Sequence, residues 1–235
     1  MPTLTVARRF NGPPDSGNGG YVCGSLAVSV AADVSVRLLV PPPLEVPLSI
    51  RPDAATGGWV LSDDERVVAT AVPARLVLEV PRPPQYVQAV WASQHYAGFH
   101  SHPFPDCFVC GPHRRRGDGL RIFPGRLDTG LVAAPWLPAE SLDAGDGKVA
   151  VAFHWAALDC PGYFAVSSGR RTLLLGEMHA HLDRRVHVGE SCTVIGWKIG
   201  VEGRRHTAGT AIFDGDGELC ARARATWIEP RPSPG

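Results

Sequence analysis

Asp159 stands in the run ALDCPGYFA, followed at once by Cys160, Pro161 and Gly162. Asp with Pro two residues later predicts a helix start, because the carboxylate can cap free N–H groups and Pro has no N–H to leave unpaired in the first turn. Trp155, Leu158 and Tyr163 flank it in sequence, so the carboxyl group is set to lose water, which raises its basicity. A carboxylate in that state can take a proton from an attacking water or attack an electrophile itself. The plainer role is the cap alone.

The loop Asp15-Ser16-Gly17-Asn18-Gly19-Gly20 leads into YVCGSLAVSVAA, a predicted helix. Its glycines let backbone approach a bound molecule. The N–H groups of Gly19, Gly20 and Tyr21 would then receive an oxygen that gathers negative charge. Gly162 is the corresponding donor in the later run, where Pro161 offers none, so the two helix starts differ. An ordinary capping loop is the alternative.

Soft ligands gather at His100, His102, Cys107, Cys110 and His113, in the order H-x-H-x4-C-x2-C-x2-H. Cys107, Cys110 and His102 make most of a tetrahedral zinc shell. A second C-x-x-C would make the pattern strong, and reduced buried thiols are the alternative. Glu177, His179 and His181 alternate onto one strand face and read as a polar face. Arg170–Arg171, Arg184–Arg185, Arg204–Arg205 and the run Arg114–Arg116 carry the fork that suits phosphate, although most such arginines are solvated surface.

Two similar halves must position these groups. The first runs from about Leu4 to Val90: strand LTVARRF, the glycine loop, the helix, then strand-like runs VSVRLLV, LEVPLSI, GWVLS and RVVATAVPARLVLEV. The second runs from about Leu131 to Ile228. In it KVAVAFHW reads as a strand, ALDCPGYFAVS as the helix, and TLLLGEMHAHL, SCTVIGWKIGV, RRHTAGTAIF and ELCARARATWI as strands, the last two joined by the turn FDGDGEL. WVLSDDERVVATA aligns without gaps on AIFDGDGELCARA, which suggests a duplication. Residues 91–130 form a Pro/His/Cys-rich connector, too long and too aromatic for a plain linker, and 230–235 a disordered tail.

The chain has 235 residues, no net charge and 44% hydrophobic residues. A neutral balance argues against nucleic acid as partner. No apolar run approaches the roughly 20 residues of a membrane helix, and MPTLTVARRF has no apolar signal core. Scattered cysteines in such a chain stay reduced, so a cytoplasmic location is expected.

Taken together, ALDCPGYFA, VHVGESCTVIGW and the final two strands resemble the central helix and last strands of hotdog-fold acyl-CoA thioesterases and their relatives. FNGPPDSGNGGYVCG is similar to the Gly-rich approach to the same helix in a first hotdog unit. CFVCGP and GDGLRIFPG are similar to segments of thioesterase-like proteins. The resemblance implies an α+β chain of two tandem hotdog units, residues 1–90 and 131–229, each a long helix wrapped by a curved antiparallel sheet. It implies hydrolysis of an acyl thioester of coenzyme A or an acyl carrier, with Asp159 as base on water and Asn18 where relatives place a loop His or Asn. No organic cofactor is required beyond the coenzyme A of the substrate, and pairing into a homo-oligomer is open. The alternative it implies is an acyl-CoA-binding sensor or scaffold without turnover.

Overall fold

A computed structural model describes residues 2–30, 33–64, 66–167 and 172–231. Arg170, Arg171 and the tail from 232 lie outside the described residues. The first half consists of β1 (Thr3–Thr5), α1 (Gly19–Val30), β2 (Val34–Leu38), β3 (Pro47–Asp53), β4 (Gly58–Asp63) and β5 (Arg66–Pro73). After α2 (Tyr86–Gln94) and the short β6 (Gly125–Arg126) comes β7 (Val132–Trp136), then α3 (Val151–Ala157) and α4 (Cys160–Val166), then β8 (Leu174–Leu182), β9 (Cys192–Glu202), β10 (Arg205–Phe213) and β11 (Leu219–Ile228). Among the described residues no helix is long and apolar enough to cross a membrane.

All strands join one antiparallel sheet in the order β1-β3-β4-β5-β2-β8-β11-β10-β9-β7-β6. The order is a repeat: β1-β3-β4-β5-β2 in one half matches β7-β9-β10-β11-β8 in the other, and each half inserts helix after its first strand. The gapless alignment of sequence places the β4–β5 hairpin on the β10–β11 hairpin. In the latter, Asp214 Oδ1 accepts from the N–H groups of Asp216 and Glu218, and Gly217 takes φ +82°, a conformation that favours glycine. The halves meet where β2 pairs with β8, Val36 opposite Met178. Both side chains are fully buried, so the seam is core.

Three expectations of local structure change. KVAVAFHW is not a strand: α3 begins at Val151, and only isolated bridges precede it at Lys148 and Val149. The run is apolar on every side because the helix is buried on most of its surface, and a short run of that kind has no distinguishing period. The second half has no single long helix either. Pro161 cannot donate to Ala157 and its ring crowds that turn, so the chain breaks at Leu158–Asp159 into two seven-residue pieces. The run ending in LVLEV stops being strand at Pro73.

The two helical layers touch backbone to backbone. A Cβ on Gly20 would lie 2.6 Å from the Trp155 carbonyl oxygen, and one on Gly24 2.6 Å from Trp155 Cβ and 2.9 Å from Ala152 Cα. The spacing of four puts both glycines on one face of α1, the face that meets α3. The connector is built into the molecule. Ala89 and Ala92 of α2 pack with Ala133, Ile195 and Ala211, while Phe108, Val109 and Ile122 are fully buried in the main core. The Phe108 N–H donates to the Asn11 carbonyl, tying the connector to the loop before α1, and the Tyr96 hydroxyl donates to the Cys110 carbonyl within the connector.

Candidate functional site

Asp159 does not cap its own helix. It has helical φ and ψ and makes no side-chain cap hydrogen bond there. Instead, Oδ2 accepts from the Asn18 side-chain amide at 2.7 Å and from the Gly20 N–H at 3.0 Å, so the carboxylate of one half caps the helix of the other. Close approach at Gly20 makes this possible: a Cβ there would lie 2.6 Å from Asp159 Cβ. Asn18 is the local cap of α1, its Oδ1 accepting from the Tyr21 N–H at 2.9 Å. Two candidates that the sequence singled out separately, the glycine loop and Asp159, thus form one buried network, with Asn18 only 2% and Asp159 3% exposed.

The other carboxylate oxygen, Asp159 Oδ1, is buried and has no hydrogen-bond partner among the described residues. Burial pushes the Asp159 carboxyl up to about 7, against the opposing pull of the Gly20 N–H and the Asn18 amide. A buried acceptor without a donor is rare and costly, which marks this atom for a partner that the protein does not supply.

That partner can come from a cavity of about 610 Å³ between the halves, within the range of small-molecule sites. Its lining combines Gly17, Asn18, Gly19 and Leu38–Pro42 from the first half, Phe104, Cys107 and Cys110 from the connector, and Asp159, Tyr163, Phe164, Leu173–Gly176 and Trp227 from the second. The wall is mainly apolar, with Asp159 as a buried carboxylate in it.

The donors for a bound carbonyl need correction. The Gly20 N–H is spent on Asp159 and the Tyr21 N–H on Asn18. Gly162 donates to the Asp159 carbonyl and closes the turn that starts α4. Gly19 remains: it lines the cavity, and its N–H has no partner among the described residues. The sequence missed a second donor, the indole N–H of Trp227 on β11, buried and unpaired beside the same cavity. No local pattern distinguishes it from a core tryptophan.

The soft ligands divide. His102, Cys107 and Cys110 come together, with His102 Nε2 3.3 Å from Cys110 Sγ. His100 is exposed, and His113 sits 3.5 Å from the Asp106 carboxylate. Cys160, fifty residues away in sequence and unforeseen as a ligand, completes the group with its Sγ 3.7 Å from Cys107. Hydrogen bonds from the neighbouring thiols hold the Cys107 thiol well below its usual range, whereas burial pushes Cys110 and Cys160 up. Glu177 accepts from Ser35 and pairs with Arg37 across the seam, and His181 faces Asp33, so these two side chains of the strand triad serve the β2–β8 junction. Arg184 is committed to Glu190 and Asp214, Arg185 to Asp146, and Arg114 to Asp118 and Asn11. These arginines are held by protein acceptors rather than left for phosphate.

No family model matches the sequence, and no curated protein matches it. Solved structures do match the fold. The tesB protein of Mycobacterium avium subsp. paratuberculosis superposes with a TM-score of 0.60 at 13% identity, over 97% of this chain and 92% of that one. A candidate thioesterase from Novosphingobium aromaticivorans superposes with a TM-score of 0.55 at 14% identity, over 97% and 95%. Both likenesses span the two halves and the connector. The chain therefore shares the fold of these proteins, a hotdog fold.

Proposed function

We propose that the chain is a tandem hotdog protein that hydrolyses an acyl thioester in the cavity between its halves, with Asp159 as general base. The observation that carries this reading is the unpartnered Oδ1 of a buried carboxylate, set in an apolar wall beside the N-terminus of the opposite helix. The apolar wall takes the acyl chain, and the carrier thiol, on coenzyme A or an acyl-carrier protein, extends to the mouth. Water attacks the thioester carbon as its proton passes to Oδ1. The oxyanion receives the Gly19 N–H, and the indole N–H of Trp227 is the other donor free to join. Collapse breaks the carbon–sulfur bond, and the thiolate leaves with the proton that Asp159 took. Asn18 is a positioning residue: it holds Oδ2 and fixes the first turn of α1, so that Oδ1 faces its task in one orientation.

Release of free thiol from a panel of acyl thioesters tests the reading. Asp159→Asn is nearly isosteric and keeps an acceptor for Gly20 and Asn18, so the variant folds and loses about a hundredfold or more in kcat. A variant that turns over at the wild-type rate removes Asp159 from the chemistry. One observation favours a second reading, a protein that holds acyl thioesters without cleaving them: two of the three N–H groups at the start of α1 are already engaged. Ligand-induced thermal stabilisation with no thiol release distinguishes that case.

A further inference from the structure

Three cysteines from separate parts of the chain converge at the edge of the cavity. Cys107 and Cys110 arrive on the connector, and Cys160 opens α4 immediately after Asp159. All three are buried, and their sulfurs lie within 4.8 Å of one another. They are free thiols, not a disulfide.

Two sulfurs on one tetrahedral zinc, each about 2.3 Å from the metal, lie about 3.8 Å apart. Cys107 and Cys160 stand at 3.7 Å, so one edge already has ligand spacing. A sulfur and a nitrogen sharing the ion lie about 3.6 Å apart by the same geometry, against 3.3 Å between Cys110 Sγ and His102 Nε2. A thiolate-rich tetrahedral set selects zinc among the common divalent ions, because soft sulfur disfavours magnesium and calcium.

We propose that Cys107, Cys110 and Cys160 form a three-thiolate site for zinc, with His102, which now touches Cys110 alone of the three and stands outside the cluster of sulfurs, swinging in as its fourth ligand. On binding, three Zn–S bonds and one Zn–N bond form, the thiol protons pass to solvent, and no atom changes oxidation state. Ligation through Nε2 leaves the ring proton on Nδ1. The Phe104 N–H, which now donates to Nδ1 at 2.9 Å, must turn away, so the His102–Phe104 turn is the part that adjusts. A closed four-ligand shell is a structural centre. Here it fastens the connector to the residue that follows Asp159, and so fixes the chain on which the carboxylate sits.

The inference does not depend on turnover, and its test needs no substrate. Wild-type protein purified without chelator should carry one zinc per chain by elemental analysis. Cys160→Ser should lose it, while Cys192→Ser, buried outside the cluster, should keep it. Should the cysteine variants fail to fold, wild-type protein stripped under reducing conditions and reloaded with cobalt(II) gives the answer. Thiolate-to-cobalt charge-transfer bands in the near ultraviolet, with the strong visible bands of tetrahedral cobalt, are expected, and His102→Ala should retain the former while binding at least about tenfold more weakly. A metal-free wild-type protein that develops no such bands and gains no thermal stability with zinc overturns the proposal, and undiminished affinity in His102→Ala overturns the fourth ligand.

Discussion

His154 shows what a single buried side chain does to this fold. It lies on α3 with no exposed surface, Nδ1 donating to the Ala150 carbonyl at 3.2 Å and Nε2 accepting from the Val186 N–H at 3.0 Å. Both ring nitrogens are used only when the imidazole is neutral. Burial lowers its pKa to about 4, from about 6.5 in an unfolded chain. Between those values the unfolded chain binds more protons, so folding stability falls as pH drops through that window. The loss through this residue reaches about 3 kcal/mol below pH 4. Denaturant midpoints measured from neutral to mildly acidic pH should drop more steeply in the wild type than in His154→Gln, and parallel curves would clear the imidazole of the effect. At this scale the sequence is most legible for groups whose partners are local. Asn18 as the cap of α1 follows from its place before Gly19-Gly20-Tyr21. The bond from Asn18 to Asp159 spans 141 residues, and only the packing of two halves brings it about. Cys160 as a companion of Cys107 was hidden for the same reason.

Elements sit where close backbone approach allows, and α1 against α3 depends on two glycines. In Gly24→Ala the new methyl carbon would fall 2.6 Å from Trp155 Cβ and 2.8 Å from its Cγ, distances that force the helices apart. Overpacking of this kind costs about 1–3 kcal/mol, offset by up to about 1 kcal/mol from the better helix propensity of Ala. The expected result is a lower melting temperature, with Val28→Ala on the exposed side of the same helix changing little. A Gly24→Ala protein at least as stable as wild type would show that the contact is loose. Because Trp155 is one turn from Asp159, any thiol release should fall along with stability. Strands joined by clear turn chemistry, such as β10 and β11 across FDGDGEL, were readable from that turn. The α3 segment was not, since burial around its circumference erased the period that separates helix from strand. The break before α4 was marked by Pro161, but the proline signalled equally well the start of a fresh helix.

The whole molecule is two repeats that complete each other. The sheet is continuous through β2 and β8, the cavity takes its wall from both sides, and the carboxylate of the second half caps the helix of the first. Separating the halves would leave β2 and β8 as bare edges, with Val34, Val36 and Met178, all fully buried in the intact chain, open to water. Edges of that kind pair with whatever strand they meet. Fragments 1–85 and 86–235 should therefore each associate or unfold when made alone, and neither should melt in a sharp transition as a monomer. Mixed during refolding, they should recover a single transition together with any thiol release the intact chain has, because the missing peptide link is exposed, at the start of α2. Size-exclusion chromatography and thermal denaturation read both outcomes. A monomeric 86–235 fragment melting at the temperature of the intact protein would mean that the second half is stable on its own, and that the seam adds function without adding to the fold.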